Sequence, residues 1–166
     1  MNNPTPATAR SRFWPVAGFV LARLILGGWF IYMGLVKVWD PVAFLKLVRE
    51  YDLTQIPVLL NSIAALLPWM EVFCGLLLLG GIAVRGAAWV VTGMLVPFTV
   101  VVFLRAWAFH ESLAIPFCAV KFDCGCGTGE ILICRKLVEN ALLLGLALWL
   151  IWRPGNGSRS LPSFFQ

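Results

Sequence analysis

The sequence predicts an all-α membrane protein: a four-transmembrane-helix bundle with a short interfacial helix after the first span and a cysteine-rich loop before the fourth. Three observations carry this. Of 166 residues, 60% are hydrophobic and only 13% charged, where soluble chains carry about 25% charged residues. Four apolar runs each reach the roughly 20 residues needed to cross about 30 Å of hydrocarbon at 1.5 Å per residue. Of eight tryptophans, six fall near the ends of those runs, as indoles do at bilayer interfaces.

The first run covers residues 14–37. Arg10 and Arg12 before it imitate a signal peptide, but the run is too long for an h-region and no small-x-small site follows. It reads as an uncleaved anchor. The next spans are 57–83, 86–108 and 131–152. Trp14, Trp89, Trp149 and Trp152 then fall at one interface, and Trp39 and Trp107 at the other. That alternation agrees with an even number of crossings. Residues 1–166 form a single integral membrane domain in this reading, closed by a polar tail over 153–166. No soluble domain or internal repeat is visible.

Between the first two spans, Asp40 stands as an N-cap and Pro41 at the first helical position of a short helix. Phe44, Leu47, Val48 and Tyr51 share one face, opposite Lys46, Arg49 and Glu50, so this helix is expected to lie in the interface. The net charge of +5 would suggest nucleic acid in a soluble protein. Here the basic residues flank apolar runs, where lipid headgroups are their natural partners.

Charge alone does not orient the chain. With the N-terminus inside, Arg10, Arg12, Arg85, Arg153 and Arg159 are cytoplasmic. Lys37, Lys46, Arg49, Arg105, Lys121, Arg135 and Lys136 are outside, against the positive-inside count. The cysteine cluster, together with the family resemblance given below, tips the choice, because stable disulfides belong on an oxidising face. The expectation is a bacterial inner membrane protein with both termini cytoplasmic and the cysteine loop periplasmic.

Two charges fall within the apolar runs. Counted from the end shared by Trp14 and Gly81, Arg23 lies about 13 Å deep and Glu71 about 15 Å deep. An unpaired charge at that depth costs about 3 kcal/mol or more, so an intramembrane Arg23–Glu71 ion pair is expected. A register-fixing pair is the plainer role; a proton relay or quinone site is the functional alternative. Near the other end Arg105 and Glu139 are placed to pair across the loop, or each to snorkel to the headgroups. Cys74 reads as a small packing residue.

The loop has the spacing C-x5-C-x-C-x7-C, from Cys118 through Cys124 and Cys126 to Cys134. Redox-active thiols are one reading: Cys124 and Cys126 as the catalytic pair, Cys118 and Cys134 as a second pair. A disulfide spanning one residue is tight, and strained exposed disulfides are the exchangeable kind. Gly125, Gly127 and Gly129 supply backbone freedom, and Lys121 and Arg135 favour thiolate. Two static disulfides form the second reading. A metal site is the third, weakened by the missing C-x2-C spacing; no metal is assigned. Four cysteines allow three pairings, and the spacing selects none.

Four pieces stand in order along the chain: "LARLILGGWFIYMGLVKVWDP", "FLKLVREYDL", "LLPWMEVFCGLLLLGG" and "CGCG" before the last helix. They hold an Arg early in the first span (Arg23), G-x-x-K (Gly34, Lys37), P-x-x-E (Pro68, Glu71), and Arg135 and Asn140 after the cysteines. With these pieces the chain resembles the MauE/DoxX group of redox-associated membrane proteins over roughly residues 16–152. Gly127 stands where Phe is usual, and Cys118 and Cys134 are additions to the pattern. The resemblance implies four membrane helices and a link to disulfide chemistry. MauE is associated with maturing a disulfide-rich periplasmic subunit, and DoxX relatives with quinone-coupled thiol or sulfur oxidation; no cofactor is assigned, a quinone being the one the resemblance leaves open. The expected function is exchange of thiols and disulfides with a periplasmic partner protein. The alternative is a non-catalytic accessory subunit of a larger electron-transfer complex, with the disulfides as staples and no nucleic acid involved.

Overall fold

The computed structural model describes residues 6–50, 57–123 and 129–152, with side chains from residue 17 onward. Five helices are present among them: α1 Pro6–Trp39, α2 Pro41–Glu50, α3 Pro57–Gly80, α4 Val84–Leu113 and α5 Ile133–Trp152. Three are long and apolar enough to cross a membrane, over Ala17–Trp39, Pro57–Gly80 and Val84–Leu113. The fourth, α5, is 20 residues long but carries Arg135, Lys136 and Glu139 in its first two turns. The polar tail lies outside the described residues.

The α2 helix begins as its sequence dictates. Asp40 Oδ1 accepts the Ala43 amide at 2.9 Å, and Pro41 occupies the first turn, where its missing N–H costs nothing. The buried faces of Phe44 and Val48 meet Leu60 and Ala64 of α3, so α2 folds down against the start of the next helix. Tyr51 lies outside the described residues.

The most extensive contact joins α1 to α3, followed by α4 to α5; α3–α4 and α1–α5 contacts close the bundle. Lipid tails are as apolar as leucine, so helix association in a membrane needs close packing or polar contacts. Glycine provides the first. A Cβ on Gly75 would stand 2.7 Å from the Gly27 carbonyl oxygen, and one on Gly27 would stand 2.8 Å from that of Gly75. About two turns nearer the cysteine end, a Cβ on Gly34 would meet the Pro68 carbonyl oxygen at 2.7 Å. These contacts fix the antiparallel register of α1 on α3.

The α3 helix ends in a Schellman motif. Gly81 sits at φ 72°, the Ile82 amide donates to the Leu77 carbonyl at 3.0 Å and the Gly81 amide to that of Leu78 at 3.2 Å. This satisfies the last carbonyls and turns the chain directly into α4.

Two apolar clusters fill the bundle. One contains Leu26, Phe30, Cys74, Leu78, Val91, Leu95, Leu143 and Ala147. The other, at the cysteine end, contains Met33, Val102, Ala106, Val120 and Ile133. The outward faces are also apolar: Leu24, Leu66, Phe73, Leu76, Leu104 and Leu142 are all exposed. In water so much exposed apolar surface would drive aggregation; in a bilayer it is the lipid-contacting face.

The segment before α5 contains structure that its short elements hid from sequence reading. A 3-10 turn over Phe117–Ala119 leads into a two-stranded antiparallel hairpin, β1 Lys121–Asp123 with β2 Glu130–Leu132. Its register pairs Lys121 with Leu132, Phe122 with Ile131 and Asp123 with Glu130. The Ile133 amide donates to the Val120 carbonyl at 3.1 Å, tying the hairpin to the first turn of α5.

Alanine at Gly75 or Gly34 forces two backbones apart, and overpacking of this kind costs about 1–3 kcal/mol. Nothing lies within 4 Å of a Cβ added at Gly93, so Gly93→Ala is expected to be neutral or slightly stabilising. Thermal unfolding of the three variants in one detergent checks this. Equal midpoints for Gly75→Ala and Gly93→Ala would remove the close contact as the basis of the α1–α3 register.

Candidate functional site

A polar layer separates the two apolar clusters. At its centre Lys37 Nζ donates to Glu71 Oε1 at 2.5 Å, with the side chains 4% and 10% exposed. Lys37 comes from the last turn of α1, and its ammonium stands 5.3 Å from the Phe44 ring centroid and 5.9 Å from that of Phe98. It is therefore enclosed by a carboxylate and two aromatic faces, the arrangement that best replaces water around a buried cation.

From α5, Lys136 is almost completely buried and donates to Glu139 Oε1 at 2.6 Å. It lies near enough to act electrostatically on both Lys37 and Glu71. One turn further, Asn140 Nδ2 donates to Thr99 Oγ1 of α4 at 3.1 Å, and the Thr99 hydroxyl donates to the Leu95 carbonyl at 2.7 Å. All four long helices contribute to this layer.

These contacts replace two expected ion pairs. Glu71 pairs with Lys37 and not with Arg23. The glycine register places Arg23 level with the α3–α4 turn, where its guanidinium packs against Gly81. Depth counted from Trp14 put Arg23 well inside the bilayer because it took the start of the apolar run as the membrane edge. Arg105 likewise does not meet Glu139. Its guanidinium bonds Glu50 of α2, through the backbone carbonyl and through Oε2 at 3.1 Å, and stacks over Phe109 and Phe122. The fold-back of α2 brings Glu50 within reach, and Lys136 sits one turn from Glu139 on the same helix. Arg135 is exposed on the first turn of α5.

Above this layer lies the cysteine segment. Cys118, in the 3-10 turn, and Cys134, in the first turn of α5, form a disulfide with their Cα atoms 5.1 Å apart, within the usual range. Cys118 is exposed and Cys134 half-buried. Cys124 and Cys126 lie outside the described residues, in the connection between β1 and β2. Cys74 is buried in the α1–α3–α4 core as a free thiol, away from this segment.

A cavity of about 30 Å3 opens beside Glu71, lined by Trp29, Met33, Lys37, Met94, Phe98 and Asn140 among others. That is far below the roughly 150 Å3 of an apolar cavity known to bind benzene, so this cavity does not hold a quinone ring.

The sequence signals for Lys37 and Glu71 were the G-x-x-K and P-x-x-E pieces, which the fold brings into direct contact. The burial of Lys136 had no such signal. A lysine two residues after a loop cysteine reads as an interfacial charge.

Apolar helices with lipid-facing outer surfaces, a charged layer inside and a disulfide at one end define a multi-pass helical membrane protein. Residues 15–153 match the family model described as methylamine utilisation protein MauE, and the chain belongs to that family. No curated protein and no solved structure matches it.

Removing one member of a buried pair leaves the other charge unsatisfied, at a cost of about 3–5 kcal/mol. Glu71→Gln and Lys37→Met are each expected to lower stability on that scale. The double variant should lose clearly less than the sum. Arg23→Gln should add independently to Glu71→Gln. A double-mutant cycle read by unfolding in detergent separates the two partners: coupling to Arg23 and none to Lys37 would refute the pairing.

Proposed function

We propose that the protein exchanges disulfides with a thiol protein on the periplasmic side of a bacterial inner membrane, through Cys124 and Cys126. The observation that supports this is the placement of the cysteine segment. One disulfide, Cys118–Cys134, closes the base of a hairpin, and the connection between its strands holds the remaining two cysteines. A fixed base beneath a glycine-rich C-x-C segment provides an exchanging pair with a rigid mount. The resemblance to MauE, itself associated with a disulfide-rich periplasmic subunit, favours the same reading.

The reaction is a two-electron exchange. A partner thiolate attacks the Cys124–Cys126 disulfide, one S–S bond breaks, and a mixed disulfide forms. The partner's second thiolate then displaces the loop sulfur, leaving a partner disulfide and a loop dithiol. The reverse reaction follows the same path, and relative potentials set its direction. The side chains of Cys118 and Cys134 serve in this scheme as a staple, while Lys121 and Arg135 supply positive charge that favours thiolate.

In this reading α5 is the fourth span. Its charges lie at the cysteine end, and Ala141–Trp152 is uninterrupted by charge. Lys136 and Glu139 neutralise each other, so Arg135 alone needs the headgroups. Both termini are then cytoplasmic.

Two measurements test the proposal. Reduced Cys124 and Cys126 should react with a membrane-impermeant maleimide on spheroplasts, while buried Cys74 should not. Labelling only after the membrane is opened would reverse the orientation. Cys126→Ser or Cys124→Ser should then trap a periplasmic protein as a band on non-reducing gels that collapses with reductant; Cys118→Ser should not. If neither single variant traps a partner and periplasmic disulfides form normally, an accessory-subunit role replaces exchange.

A further inference from the structure

The polar layer contains two buried groups that the protein itself does not satisfy. Glu71 Oε2 and Trp29 Nε1 are both inaccessible and have no hydrogen-bond partner. One is an acceptor and the other a donor, and both residues line the same 30 Å3 cavity. An unpartnered buried acceptor or donor costs about 1–3 kcal/mol, more for a charged group. Two such groups beside one cavity are therefore more than a packing defect.

We propose that this cavity is a water-binding site, holding one or two molecules between the Trp29 indole N–H and Glu71 Oε2. Size and chemistry agree. A water needs roughly 10–15 Å3 of such space and two to four polar partners. Here the indole donates, the carboxylate oxygen accepts, and the Asn140 amide and Lys37 ammonium border the same space. The walls from Met33, Met94, Leu95, Phe98 and Leu143 are apolar, so water is held at the polar side alone. The site hydrates the Lys37–Glu71 pair from within the bundle. It also places an exchangeable proton carrier against a carboxylate that is otherwise sealed by Lys37. This inference does not depend on the thiol-exchange reading.

Radiolytic footprinting tests it on the full chain in nanodiscs. Short X-ray pulses generate hydroxyl radicals from bound water, which oxidise adjacent methionine and tryptophan. Met94 and Met33 should be oxidised severalfold faster than Met70, which neighbours Glu71 in sequence but faces lipid (42% exposed). Trp29→Phe keeps an aromatic ring and removes the donor, so it should lower oxidation at Met94 and Met33 severalfold. Glu71→Leu should do the same where it folds; Trp29→Phe suffices where it does not. Oxidation of Met94 and Met33 no faster than Met70, or undiminished by Trp29→Phe, would overturn the site.

Discussion

The antiparallel contact of α1 on α3 is the constraint on which the rest of the bundle depends. It couples two requirements that a bilayer makes severe. Helix backbones must approach closely to gain packing, and charged groups within the apolar layer must find partners. Gly27, Gly34 and Gly75 meet the first, and Lys37 with Glu71 meets the second. Both depend on one register. Sliding α1 by a single residue would separate the ammonium from the carboxylate and drive side chains into the carbonyls that the glycines now touch.

The ion pair itself contributes less to net stability than its short distance suggests. Desolvating two charges costs several kcal/mol per ion, and their attraction offsets this only with good geometry and further hydrogen bonds. Lys37 has the carboxylate and two aromatic faces. Glu71 has one oxygen engaged and one without a protein partner. An apolar pair of similar volume would hold the helices as well. What the charges add is discrimination, since any other register leaves both buried and unpaired. The Asn140–Thr99 bond and the Lys136–Glu139 pair extend the same logic to α4 and α5.

The helices were legible in the sequence because each rests on a local signal: a long apolar run, or the Asp40–Pro41 start of α2. The family pieces also marked Lys37 and Glu71 individually. Their pairing was not legible, because it depends on how far α3 extends past the end of α1. That offset is set by α2, whose Phe44 and Val48 pack on the first turns of α3. Depth along one helix carries no information about its neighbour's depth, so Arg23 looked close to Glu71 when it lies at the opposite turn. The hairpin was hidden for another reason. Three-residue strands are too short to show alternation, and they are held by their attachment to Val120, Ile133 and the Cys118–Cys134 bridge.

The Cys118–Cys134 disulfide and the buried charges occupy different places in this fold, yet one element serves both. The first turn of α5 carries Cys134, whose bridge closes the hairpin, and next to it Lys136, which enters the charged layer. The apolar cluster of Val120, Ile133, Val102 and Ala106 lies between the exposed Cys118 and that layer. The disulfide and the charged layer are therefore joined through one helical turn and one apolar cluster. Both rest on a scaffold whose register the α1–α3 contact fixes independently.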